Sequence, residues 1–312
     1  MTNSTVGTVA VVGSCNIDLV LQMGRAPEAG ETCLAHDLSW HCGGKGANQA
    51  IAARRDGVDV RLVGSLGKDS QGDLLFAALQ QEGIDLEGMY RSHCPTGTAC
   101  IWVDDSGENR IAIYPGANQD RPHDDLEDRL ANVRYLLAQL EVAPELVLAA
   151  AQMARRLHIP FVLNASPVEA LRPELLALGD VLLVNRHEAA RILGSEINED
   201  EYSLACRELA QGRRAAVMTL GAAGAVWASG GKAGAVSAHP VTVVDSTGCG
   251  DAFAGVLVAA LARGASLDLA VQRANAAGAL AAGVLGAQDS LPTSMAIDRL
   301  LAASHLTRRI FS

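Results

Sequence analysis

Short apolar runs alternate with helical stretches along most of the chain, the pattern that a parallel sheet with crossover helices leaves in a sequence. Segments 8–13 (TVAVVG), 60–67 (VRLVGSLG), 135–140 (YLLAQL), 159–164 (IPFVLN), 181–185 (VLLVN) and 215–221 (AAVMTLG) read as strands. Between them, 144–158 reads as a helix opened by Pro144, whose fixed φ suits a first helical turn, and 201–212 as a helix closed by Gly212. From 250 onward the pattern is chiefly helical, over 250–263, 267–285 and 295–303. No repeat, low-complexity tract or long linker interrupts it.

Two stretches break the alternation. One is 19–40; the other is 98–114, where TACIWV and RIAIY flank the turn-rich DDSGEN, a hairpin signal. Both strands of that hairpin are apolar on both faces, since Ala99, Ile101 and Val103 alternate with Cys100 and Trp102. Such a ribbon needs cover on both sides. These pieces are expected to form a small β lid, one face over a site and the other against a partner subunit. The alternative is a peripheral sheet packed on its own domain. The expected architecture is α/β, a doubly wound, mostly parallel sheet flanked by helices, built from 1–18, 41–97 and 115–312, with a small β-sheet lid from 19–40 and 98–114.

Composition narrows the partners. Apolar residues make up 49% of the chain and aromatics only 4%, so the core is expected to consist mainly of Ala, Val and Leu. A formal charge of −10 argues against a nucleic-acid or anionic-membrane surface, although a nucleotide can still be held locally by backbone N–H groups and a metal ion. The seven cysteines form no C-x-x-C pair and read as reduced thiols. Cys33, His36, His41 and Cys42 have a spacing that fits no zinc ribbon or finger. The opening TVAVVG is too short for a secretory segment and no run reaches membrane-spanning length, so a soluble, cytoplasmic protein is expected.

Ligands of open α/β sheets bind beyond the carboxyl ends of the strands. Here the strand ends are polar: Asn16 and Asp18 follow the first, and others run out at Glu141, Asn164, Asn185 and Thr219. Any one of these fits a cap or a turn. Five strands ending this way would ring a polar crevice.

Two glycine turns enter that crevice. In HCGGKGANQAIAARR (41–55), Gly43 and Gly44 let a ligand approach backbone and Gly46 permits the turn into a helix, with Lys45 and Asn48 in its first turn. This is neither a Walker A loop nor a dinucleotide fingerprint, and GSLGKDS (64–70) fails as a phosphate loop as well. In VVDSTGCGDAFAGVL (243–257), Gly248, Cys249 and Gly250 at a helix start offer N–H groups and the positive end of the helix dipole, a hole for an anion. Asp251 beside it is placed to accept a hydroxyl proton while the hole holds phosphoryl oxygens. Taken alone, the same residues also describe an ordinary helix start.

GSCNIDLV, CGGKGANQA, NRHEAA and DSTGCGDAFAG resemble the signature segments of the ribokinase-like sugar kinases, and the resemblance covers nearly the whole chain. It implies transfer of the ATP γ-phosphoryl group to the 5-hydroxyl of D-ribose. Asp251 would be the catalytic base, with Gly248, Cys249 and Gly250 as the anion hole. Asn16, Asp18, Gly44, Lys45, Asn48 and Glu141 would hold the sugar. Asn185 and Glu188 match a segment associated with Mg²⁺ (or another divalent cation) and phosphate. Thr219, Gly221, Gly224 and Asn275 match the nucleotide side. A K⁺ ion would lie near Asp245, Thr247, Ala281, Val284, Gly286 and Ser290, partly on backbone carbonyls, and a homodimer would form through the lid. Two departures stand out. Cys249 replaces the commoner alanine, which leaves its backbone N–H in place, and Asn275 stands where some members carry histidine. The competing readings are a same-family kinase for deoxyribose, another sugar or a nucleoside; a sugar- or nucleotide-binding regulator without catalysis, against which Asp251 and its flanking glycines argue; and a nicotinamide dehydrogenase, which lacks its fingerprint.

Overall fold

The computed structural model describes residues 7–120, 122 and 124–310, so positions 1–6, 121, 123 and 311–312 of the expected α/β part lie outside the described residues. The chain opens with β1 (Thr8–Val12), β2 (Asn16–Met23), β3 (Ala35–Gly43), α1 (Lys45–Arg55), β4 (Val60–Gly67) and α2 (Ser70–Gln81). It continues through β5 (Met89–Ser92), β6 (Gly97–Asp104), β7 (Asn109–Tyr114), α3 (Leu126–Leu130), β8 (Val133–Ala138) and α4 (Pro144–Arg156). The next part holds β9 (Phe161–Asn164), α5 (Pro173–Leu178), β10 (Val181–Asn185), α6 (Arg186–Leu193) and α7 (Tyr202–Leu209). Last come β11 (Ala215–Thr219), β12 (Ala225–Ser229), β13 (Lys232–Val236), α8 (Cys249–Ala262), α9 (Leu267–Ala282) and α10 (Ser294–Ile310).

Nine strands form one sheet in the order β13-β12-β11-β10-β9-β8-β1-β4-β5. From β11 to β5 every pairing is parallel, while β12 and β13 add an antiparallel edge. The period of two along β1 separates two cores. Val9 and Val11 pack with residues of α1, α2, α8 and α9, and Ala10 and Val12 with residues of α3, α4, α6 and α7. Helix α8 is buried from Asp251 to Ala262, which is why its sequence is apolar on every side. It meets α1 closely at Gly255, where a Cβ would stand 2.6 Å from the Ala52 Cβ. Behind this contact, buried Asp56 accepts from Arg263 and Arg273, tying the ends of α1 and α8 to α9.

A second sheet, β3-β2-β6-β7, stands apart. It begins earlier than the sequence suggests, so Asn16 and Asp18, assigned to the α/β part, lie on β2. The register puts Asp18, Val20, Ala99, Ile101, Ile111 and Ile113 on one face, and Leu19, Leu21, Leu38, Trp40, Trp102 and Tyr114 on the other. Leu38, Trp40, Ile111, Ile113 and Tyr114 are all more than half exposed.

Several elements differ from the reading of the sequence. The strand expected at 135–140 runs from Val133 to Ala138, because Leu140 N–H leaves the ladder and bonds Ser166 O at 2.9 Å. The helix expected to 285 stops at Ala282, and the last helix runs on to Ile310. The elements β5, β12, β13, α2, α3, α5 and α6 have no counterpart in the reading. β12 and β13 are rich in Ala and Gly rather than in the β-branched residues that announce strands.

Candidate active site

Helices α1 and α8 both begin at the carboxyl ends of the sheet, and their contact at Gly255 brings their first turns together. There Asn48 Nδ2 donates to Asp251 Oδ2 at 3.0 Å and Gln49 Nε2 to Asp251 Oδ1 at 2.9 Å. Gln49 is oriented in turn: Gln139 Nε2 donates to its Oε1 at 2.6 Å, so its own amide hydrogens face Asp251 and Asn164 Oδ1. The result is a carboxylate, buried but for 8% of its surface, with both oxygens fixed by amides. Asn48 keeps a buried Oδ1 with no partner in the protein, and a buried acceptor of this kind calls for a donor from a ligand.

The turn before α1 depends on Gly44. Its φ is +93°, and a Cβ would lie 2.7 to 2.8 Å from the backbone of Ser14, Cys15 and Asn16. Gly43 likewise cannot be replaced without displacing the Asp18 carboxylate. The closed approach lets Ser14 Oγ donate to Glu141 Oε2 at 2.6 Å, and Lys45 N–H to the same oxygen at 3.3 Å. Asn118 fastens the other side, donating to Asn16 Oδ1 at 2.8 Å while its own Oδ1 accepts Cys15 N–H at 3.0 Å. Asn16, Asp18, Gly44, Lys45, Asn48, Glu141 and Asp251 are thus assembled at one place.

Charge there is unusual. Burial, then the Glu141 and Asp251 carboxylates, push the Asp18 pKa up to about 7. Burial presses the Lys45 pKa down, but Asp251, Glu141 and Glu188 together hold it above the ordinary lysine value. Lys45 therefore stays an ammonium amid acids.

Asp251 also lines a cavity of about 200 Å³ with Lys45, Asn164, Asn185, Glu188, Thr219, Gly248 and Gly250. Asn185 and Glu188 form a reciprocal cap of α6, each backbone N–H donating to the other's side chain at 2.8 Å, so a structural role accounts for both in part. A larger, more apolar cavity of about 570 Å³ adjoins it through Thr219, Ser246 and Gly250, and is bounded by Gly221, Gly224, Phe253 and Asn275. Asn275 Nδ2 donates to Ser237 O at 2.9 Å, which leaves its Oδ1 for another group.

At the α8 start Gly248 has a φ of +76°. The three N–H groups there are not equivalent. That of Cys249 donates to Ser246 O at 3.3 Å, contrary to the expectation of a free group, while those of Gly248 and Gly250 have no acceptor among the described residues. Burial, then Asp245 and Asp251, raise the Cys249 pKa, so the residue is a thiol rather than a thiolate. Beside it Asp245 Oδ1 accepts from Thr247 N–H and Oγ1 at 2.9 and 2.7 Å, and its Oδ2 from Gly286 N–H at 2.9 Å. Burial opposes ionisation of Asp245, yet these donors hold its pKa below the usual carboxylate value. They draw Asp245, Thr247 and Gly286 together beside Ala281 and Val284, whose own backbone bond is 3.1 Å long, and Ser290 follows, donating to Ala287 O at 2.8 Å.

Ser14, Gln49, Asn118 and Gln139 were not singled out by the sequence. Gln49 lies within the quoted glycine motif, one residue past Asn48. Asn118 and Gln139 come from segments 69 and 90 residues farther along than Gln49 and carry no local signal. A fixed carboxylate between a polar cavity and free N–H groups can take a proton from a hydroxyl while an anion is held next to it.

The family model "pfkB family carbohydrate kinase" matches residues 7–294. The chain is 34% identical over 298 residues to the ribokinase of Bacillus subtilis, covering 94% of this chain and 99% of that one. It is 33% identical over 312 residues to the bifunctional ribokinase/ribose-5-phosphate isomerase A of Fructilactobacillus sanfranciscensis, covering 96% of this chain but only 57% of that relative's length. The structure of Arabidopsis thaliana ribokinase complexed with ribose and ATP matches with a TM-score of 0.89 at 30% identity, covering 95% of this chain and 98% of that one.

Proposed function

Because the chain belongs to the pfkB family of carbohydrate kinases, we propose that it phosphorylates D-ribose at the 5-hydroxyl with ATP, giving ribose 5-phosphate. The chain is an ATP-dependent sugar kinase. The observation that carries the finer reading is the placement of Asp251, fixed by Asn48 and Gln49, at the junction of the polar crevice with the cavity under Gly248 and Gly250.

In this reading Asn16, Asp18, Gly44, Asn48 and Glu141 bind the sugar hydroxyls. A sugar lacking one hydroxyl leaves a buried polar group unpaired, which is the basis of selectivity. The 5-hydroxyl lies against Asp251, which takes its proton as the oxygen attacks the γ-phosphorus and the bond to the β,γ-bridging oxygen breaks, releasing ADP. The phosphoryl oxygens face the Gly248 and Gly250 N–H groups, the positive end of α8 and the Lys45 ammonium. Thr219, Gly221, Gly224 and Asn275 line the apolar cavity for the nucleotide base and ribose.

The donor set fits the two cations to different degrees. Among the described residues no group of three or more His, Cys, Asp or Glu side chains could hold a metal ion, so Mg²⁺ would be carried mainly by the nucleotide phosphates, with Glu188 and Asn185 beside them. Mg²⁺ there neutralises phosphate charge. K⁺ would be held by Asp245 with Thr247, Ala281, Val284, Gly286 and Ser290, and the preorganised Asp245 carboxylate suits that role. The outer face of the small sheet, with Leu38, Trp40 and Tyr114, would pair two copies into a homodimer, and its Asp18-bearing face would close over the sugar. Among the described residues no helix is long and apolar enough to cross a membrane, and the protein is read as cytoplasmic.

A phosphoryl-transfer screen across pentoses, hexoses and nucleosides, with ATP, Mg²⁺ and K⁺, tests the proposal. Ribose is expected to give the highest kcat/KM. Preference for deoxyribose or a nucleoside assigns the same site to another acceptor, and turnover of none removes the kinase reading.

A further inference from the structure

The opposite end of the sheet carries a further cavity, about 380 Å³ in volume, below the amino ends of β9, β10 and β11. It shares no residue with the cavities around Asp251. Its lining includes Arg155 and His158 from the end of α4, and Arg213 and Arg214 from the turn leading into β11. Four cationic or titratable bases thus converge in a protein whose formal charge is −10. Neighbouring Arg156 points to Glu127 in a salt bridge, but Arg155, His158, Arg213 and Arg214 form no salt bridge among the described residues. The one acid of the lining, Asp180, is turned to the backbone, its Oδ2 accepting Phe161 N–H at 2.9 Å.

Arg213 is the informative member. Its Nη1 donates to Leu176 O at 2.9 Å, while its Nε is buried and has no acceptor. Burial lowers its pKa, with no neighbouring carboxylate to offset the cost. Arg213 is only partly exposed, and a buried donor left without an acceptor asks for an explanation, of which a bound ion is one. Guanidinium groups suit phosphate best, because their planar forks bond oxyanions two at a time.

We propose that this cavity is a binding site for a phosphate-bearing small molecule, held by Arg213, Arg214 and Arg155 with His158 at its edge. Its volume exceeds that of inorganic phosphate and accommodates a ligand of sugar-phosphate size. The site is independent of the one around Asp251, so its occupancy can change while the kinase chemistry is left intact.

The test measures thermal unfolding of the whole chain against inorganic phosphate and, separately, ribose 5-phosphate, with chloride added to keep ionic strength constant. The melting temperature of the wild type is expected to rise saturably. The exposed-residue variant Arg155→Ala/Arg214→Ala, and independently Arg213→Met, are expected to need about tenfold more phosphate for half the rise, the loss of one charge-assisted contact. Asp251→Asn is expected to keep the wild-type response. Tighter binding of ribose 5-phosphate that the double variant loses identifies an organic occupant of this cavity, since product binding at the Asp251 site is unchanged in that variant, and an equal loss for both compounds identifies free phosphate. The proposal is overturned if neither compound raises the melting temperature saturably, or if the double variant retains the wild-type response.

Discussion

Ser14 and Glu141, 127 positions apart in sequence, are joined by a 2.6 Å hydrogen bond from the serine Oγ to the carboxylate Oε2. The bond closes the polar crevice where the turn after β1 meets the loop after β8, and the Lys45 N–H shares the same oxygen. Ser14→Ala should therefore cost about 1.5–3 kcal/mol of stability, the range for a hydrogen bond to a charged group. Urea unfolding measures that loss. In the kinase assay kcat/KM for the sugar should fall through KM, with kcat little changed, because in the proposed reaction Glu141 binds rather than reacts.

Asp18 gives the crevice a pH dependence. Its pKa is raised to about 7 by burial and by Glu141 and Asp251, against an ordinary value of 3.8. Between those values the folded state binds the proton that the unfolded state has released, so Asp18 lowers stability as pH rises from about 4 to about 7. Sugar binding should run the other way, tightening as the carboxylate forms and accepts hydroxyl protons. Calorimetric titration of ribose from pH 6 to 8 should show this rise, and Asp18→Asn should flatten it while weakening binding overall.

Two glycines separate folding from chemistry. Gly44→Ala meets the backbone of Ser14, Cys15 and Asn16 at a φ of +93° and should destabilise by more than about 2 kcal/mol. Gly250→Ala meets nothing within 4 Å and lies in a helix, so it should fold with wild-type or slightly higher stability. Its methyl group nevertheless enters the cavity beside Asp251, and kcat should drop. Thermal unfolding and kcat measured together distinguish the two variants.

The cation reading predicts that activity rises when K⁺ replaces a bulky organic cation, and that Asp245→Ala removes this dependence. Asp245 makes three hydrogen bonds to Thr247 and Gly286, so the same variant should loosen the loop around 286 and lower thermal stability.

Much of this was legible because it is local. The glycine clusters at 43–46 and 248–250, the polar residues at strand ends and the small β segments all announce themselves in short windows of sequence. The partners of Asp251 were less legible. Gln49 sits in a helix whose periodicity makes it look like another buried position, and its role appears only when Gly255 lets α1 approach α8. Asn118 and Gln139 act on residues about a hundred positions away, a relation that no local pattern encodes. The hairpin β12–β13 escaped because its Ala and Gly residues carry little strand propensity, and pairing with β11 decides it instead. The Arg213 cavity was invisible for the same reason, as it gathers the ends of elements that are apart in the chain.

The central claim is that Asp251 accepts the proton of the sugar hydroxyl. Asp251→Asn, followed by single-turnover phosphoryl transfer at saturating ribose and by direct titration of ribose binding, tests it most directly. The rate should fall by about 10²–10⁴, the usual contribution of a general base, while ribose still binds and the protein unfolds at a near wild-type temperature. A variant that transfers the phosphoryl group at the wild-type rate contradicts the assignment.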